Sequence, residues 1–137
     1  MNIKAGVISG FVATVVLSVI MIMKAGMGVM PELNAIKMLA GMMHAPLIMG
    51  WVAHFMIGTV VWGILFAALV NKLPGSNLKS AIIFSIGAWV MMMIGPMPMA
   101  GAGPFGVNLG MMAPVATLML HLIWGVVLGL TYNKLAR

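Results

Sequence analysis

The chain has 137 residues, 64% of them hydrophobic and 6% charged, with a formal net charge of +6 and no cysteine; its mean hydropathy is +1.20. A soluble domain carries charge on about a quarter of its residues, so this chain cannot cover itself in water and its solvent is a bilayer. Without cysteine, disulfides and thiolate metal sites are excluded.

A bilayer core takes about 20 apolar residues per helix, and 3–23 is the first segment that qualifies. Lys4 precedes it as in a signal peptide. The run is too long for an h-region and lacks an A-x-A cleavage site, so a retained helix is expected. Gly6, Gly10, Thr14 and Ser18 stand four apart along it. In lipid, such small residues mark the face on which backbones approach one another. Residues 31–43 read as a short interfacial helix in the first outer loop. Pro31 stands at its start, with Leu33, Ile36, Ala40 and Met43 on one face and Asn34 and Lys37 on the other. The second span is 47–70, with Gly50, His54 and Gly58 in one row. The third, 79–95, is the shortest, carries Gly87, Met91 and Gly95 in one row, and ends at Gly95-Pro96. Residues 95–114 contain five glycines and four prolines and predict a loop or re-entrant element, shielded by protein because lipid does not tolerate irregular backbone. The fourth span, 113–132, aligns Ala113, Thr117, His121, Gly125 and Gly129.

Two kinds of pattern organise these spans. Trp62-Gly63 precedes Asn71-Lys72-Leu73, and Trp124-Gly125 precedes Asn133-Lys134-Leu135, at one constant offset; Asn2-Ile3-Lys4 likewise matches Asn77-Leu78-Lys79. Two tandem helical hairpins of the same orientation, 2–73 and 77–135, are expected within a single transmembrane domain, 1–137. The fold class is all-α, a polytopic four-helix bundle. Charge supplies the second pattern. Lys4, Lys72, Lys79, Lys134 and Arg137 fall on one side, and Lys24 and Lys37, offset by Glu32, on the other. The positive-inside rule then puts both termini in the cytoplasm. The basic residues serve topology, so nucleic acid is not expected as a partner.

Methionine breaks this otherwise even apolar composition. Of 18 methionines, all but Met1, Met56 and Met119 lie in 21–49 and 91–112, the extracytoplasmic half of that topology. Thioethers are soft, neutral ligands that suit Cu(I), but methionine is also a flexible filler where loops meet a bundle. The copper reading assigns an uptake site at the outer mouth to Met43, His44, Met97 and Met99. Below it, His54 pairs with Met21 at about 25–27 Å from the opposite end of the helices, and His121 with Met91 at about 18–21 Å. Alternatively, His54 and His121, the two histidines well inside helices, could ligate a haem b. Measured from the shared Asn-Lys-Leu ends, they differ in depth by roughly 7.5 Å, an awkward span for one haem.

Glu32 is the single carboxylate side chain. No acid–base pair, activated nucleophile or phosphate loop is legible, so the chain is not expected to be an enzyme.

With its small-residue stripes, four spans and His-x-x-x-Gly elements at His54 and His121, the chain resembles an uncharacterised family of small bacterial four-helix integral membrane proteins, over nearly its whole length. That resemblance implies a bundle in the bacterial inner membrane and carries no activity. Three readings stay open. One is a non-catalytic accessory subunit with other membrane subunits or further copies as partners, possessing or lacking a Cu(I) site. The others are a dedicated copper-binding or delivery protein and a bis-histidine haem subunit.

Overall fold

The computed structural model describes residues 1–137 and contains helices and loops without strands. Helix α1 spans Ile3–Gly26, α2 Ala35–Met42, α3 Leu47–Leu69, α4 Asn77–Ile94, α5 Pro96–Met99 and α6 Ala113–Leu135. Helices α1, α3 and α6, and α4 continued through α5 to Met99, are long and apolar enough to cross a bilayer. The chain is thus a multi-pass membrane protein with lipid as its surroundings.

Each boundary has a local cause. The Asn2 side chain accepts a hydrogen bond from the Ala5 N–H (2.9 Å) to start α1, and Ser76 accepts from Lys79 N–H (3.3 Å) to start α4; such oxygens satisfy helix donors that lack a partner. Gly95 ends α4 where Pro96 follows, and Pro114 sits in the first turn of α6, where its missing N–H does no harm. The loop between α1 and α2 is pinned by Lys24, whose Nζ donates to the carbonyls of Val29 (3.1 Å), Met30 (2.9 Å) and Leu33 (2.8 Å).

The short helix begins later than the expected 31. Its cap is Asn34, which accepts from Lys37 N–H, and an Asn cap fixes a start more firmly than a proline that only permits one. Ile36 and Ala40 are buried against Gly50, as the expected face requires, but Met43 is exposed. Loop 95–112 is not featureless: it forms α5 and a 3-10 segment, Pro104–Leu109, with Phe105 and Gly106 in the left-handed region. The Phe105 ring packs on Trp89 (5.7 Å).

Packing follows the small residues. Helix α1 lies close to both α3 and α6, and α6 close to α4. A Cβ on Gly63 would lie 2.7 Å from the Gly6 carbonyl oxygen, and one on Gly125 would lie 3.0 Å from that of Ala81. Gly63 and Gly125 are the matched positions of the two hairpins, and so are Gly6 and Ala81, counting from Asn2 and Asn77. Both of these matched pairs, Gly6 with Gly63 and Ala81 with Gly125, are in close approach. On α4 the row Gly87–Met91–Gly95 is not the packing face: nothing lies within 4 Å of a Cβ on Gly87. The buried face is Ser80, Ala81, Phe84, Ser85 and Ala88. Alanine and serine are small enough for close approach, so glycine alone did not identify it.

The half of the bundle that holds both termini is solid. Phe66, Phe84, Trp124, Leu128 and Tyr132 fill it, with Phe66 on Phe84 at 5.4 Å and on Tyr132 at 5.1 Å. Here α3 and α4 meet through Trp62 and Phe84 (5.7 Å). Toward the other end, the loop end, residues of both helices line an open space.

Candidate functional site

The space between α3 and α4 is a cavity of about 330 Å³, within the range of small-ligand sites. Trp62 and Trp124 line its inner end, above the aromatic core. Thr14, Leu17 and Met21 of α1 contribute to its wall, and α2 contributes Leu39, Met38 and Met42. His54 enters from α3, Met91, Met92 and Met97 from the α4–α5 arm, and His121 from α6.

Both histidines are held by one ring nitrogen. His121 Nδ1 lies 2.8 Å from the Thr117 carbonyl; a carbonyl only accepts, so Nδ1 carries the proton and Nε2 keeps its lone pair. His54 Nε2 lies 3.0 Å from Ser18 Oγ. Ser18 gives its own proton to the Thr14 carbonyl (2.6 Å), so its oxygen accepts from Nε2–H, and Nδ1 of His54 keeps the lone pair. This is how ligating imidazoles are commonly oriented, with the second nitrogen donating to a protein oxygen. The cavity is thus walled by two imidazoles, each with an uncommitted acceptor nitrogen, and by thioethers.

The placement of His54 depends on an irregularity in α3. Residues Ile57–Val61 form a π turn, in which the N–H of Trp62 reaches the carbonyl of Ile57. Gly58 packs against the Thr14 side chain and Gly63 against Gly6, so two residues five apart face α1 together. Thr59, inside the turn, has its Oγ1 buried without a hydrogen-bond partner. Sequence reading gave no sign of this turn beyond the five-residue gap between Gly58 and Gly63.

Of the eight residues assigned to copper from the sequence, Met21, His54, Met91, Met97 and His121 line the one cavity. The separate tiers, His54 with Met21 and His121 with Met91, are therefore walls of a single space. Met91 is 56% exposed and reaches it from the edge of α4. The outer group of Met43, His44, Met97 and Met99 is not brought together. Met97 is 3% exposed and packs with Leu33, Met93 and Ala102, whereas Met99 is 75% exposed. Met99 and His44 line a separate surface groove, and Met43 lines neither space. The reason is α5: its short turn directs Met97 inward and Met99 outward, although they are two residues apart. Met38, Met42 and Met92, passed over in the sequence, do line the cavity. For Met38 and Met42, the signal available was their i, i+4 spacing on the short helix.

No cluster of three or more His, Asp or Glu side chains is present, so any metal held here would draw on imidazole and thioether. A sequence model of a family described as "Family of unknown function (DUF6789)" matches residues 1–137. No curated protein and no solved structure matches the chain.

Proposed function

The chain belongs to the DUF6789 family, and because that family is of unknown function we propose, from the chain's own chemistry, that it is a non-catalytic membrane protein that binds Cu(I) inside its bundle. The observation that carries the reading is the pairing of two pre-oriented imidazoles with thioethers around one apolar cavity. Two neutral nitrogens and one or two sulfurs suit a soft monovalent ion, and they need no deprotonation. A dication would have no anionic ligand to offset its charge in a low-dielectric site, which selects against Zn(II). The haem reading has less support. His54 would have to bind through Nδ1, since its Nε2 is committed to Ser18. The protein would serve as a copper-holding subunit or carrier, with partners in the membrane.

The test is titration of the purified protein with Cu(I) against a chromogenic chelator, together with an absorption spectrum. One Cu(I) per chain is expected, with no Soret band. Binding should be lost in the His54→Ala, His121→Ala double variant and weakened on the order of 10-fold in Ser18→Ala, the usual effect of removing a group that orients a ligand. A Soret band would replace copper with haem. Unchanged Cu(I) affinity in the double variant would remove the cavity from consideration and leave a purely structural subunit.

A further inference from the structure

The second space, the surface groove at the loop end, touches the first. Met38 and Met42 line both. They stand one turn apart on α2, separated by about 6 Å along the helix. The other side of α2 is fixed, with Ile36 and Ala40 buried against Gly50. The two thioethers therefore form a wall common to an open groove and an interior cavity. The groove also carries Met99, His44 and Glu32.

Two features set this groove apart from the rest of the surface. Glu32 is the only carboxylate side chain in a chain of net charge +6. It stands on the groove, where a cation arriving from water would meet it, beside Lys37, which offsets part of its charge. His44 occupies the residue after the α2 cap with φ 51°, a left-handed conformation. Its N–H bonds the Gly41 carbonyl and the following Ala45 N–H that of Ala40. That motif ordinarily takes glycine, because a Cβ there is strained by roughly 1 kcal/mol. An imidazole therefore stands where glycine would be the less strained residue.

We propose that the groove is the mouth through which a soft monovalent cation reaches the cavity, with His44 and Met99 receiving it and Met42 and Met38 passing it inward. The proposal rests on the Cu(I) reading of the cavity. The ion stays Cu(I) throughout: at each transfer one Cu–S or Cu–N bond forms as another breaks, and no electron or proton moves. Relative to the uptake site expected from sequence, Met42 and Met38 take the places of Met43 and Met97.

Two measurements test this. The first is the rate at which the purified protein takes Cu(I) from a chelator. Met38→Leu, Met42→Leu should slow uptake tenfold or more; an unchanged rate overturns the proposal. The second needs no copper. The chain lacks cysteine, so Met92→Cys places a single thiol on the cavity wall. A water-soluble methanethiosulfonate should modify it, and adding Met42→Trp should suppress the reaction at least tenfold. Equal labelling with and without Met42→Trp would show that the cavity opens elsewhere and would overturn the proposal. If the wild type binds no Cu(I) while Met42→Trp still blocks labelling, the copper reading fails, taking the cation with it, but the groove remains the cavity's mouth.

Discussion

At Gly58, Gly63 and Gly125 the bundle has no room for a methyl group, and the neighbours in the way are largely backbone or β-branched side chains. Helices in lipid gain little from burying apolar surface against each other, so close approach supplies the packing energy. Gly63→Ala should therefore push α1 and α3 apart and destabilise the protein by about 1–3 kcal/mol, the usual penalty for overpacking. Gly87→Ala, on the outward side of α4, meets nothing within 4 Å and should be neutral or slightly stabilising through helix propensity. Thermal unfolding in one detergent compares them. Equal effects from the two substitutions would contradict this packing. Gly87 stands in a row of small residues four apart and is not used, whereas Gly63, five residues from Gly58 and outside that row, is used. The difference is that Ala81, Ser85 and Ala88 form a competing small face on α4 that is buried in the bundle.

Helix α3 shows how one element sets the phase of a site. From Gly63 to His54 is nine residues, or about 900° at 100° per residue, which in a regular α-helix would put them on opposite faces. The π turn at Ile57–Val61 absorbs one residue, so that Gly63 meets Gly6, Gly58 meets Thr14 and His54 meets Ser18. Such turns are often found at functional sites. Deleting Thr59, whose hydroxyl is already unpartnered, should close the turn to regular α-helix. The two residues would then stand eight apart, about 80° out of phase and still on the side of α1. The deletion variant is expected to fold and to keep the bond between His54 and Ser18, read from the imidazole NMR shifts of the single inward histidine in a His44→Ala, His121→Ala background. A misfolded variant, or a His54 ring that no longer bonds Ser18, would mean that the wide turn holds more than phase.

For the molecule as a whole, an aromatic core fills the half that holds the termini, while at the other end Leu33 packs with Met93 and Met97 beside the cavity. There the cavity opens between α3 and α4. Charge predicts which end faces the cytoplasm. The five basic residues at 4, 72, 79, 134 and 137 all lie at the solid end, and the positive-inside rule places that end inside. Reporter fusions at Arg137 and Gly101 should give a cytoplasmic signal at the first and an extracytoplasmic one at the second. A reversed pattern would turn the groove toward the cytoplasm and make it an exit or a cytosolic loading site.

Composition and spacing by themselves determined the fold class, the four spans and the inward row of Ala113, Thr117, His121, Gly125 and Gly129. These depend on transfer into lipid and on helical period, which are properties of a local stretch of chain. The concentration of methionine at one end was equally legible, because it is a matter of count. Only the tertiary structure decided which methionines share a space. Met97 and Met99 are two residues apart, yet one is packed with Leu33 and Met93 and the other lies in the groove. Met38 and Met42 reach the cavity because the packing of Ile36 and Ala40 on Gly50 sets how α2 lies against the bundle. Periodicity cannot supply such facts: a loop's path and a short helix's seating are set by contacts with residues distant in sequence, and a thioether's flexible stem lets it serve either side of the wall it builds.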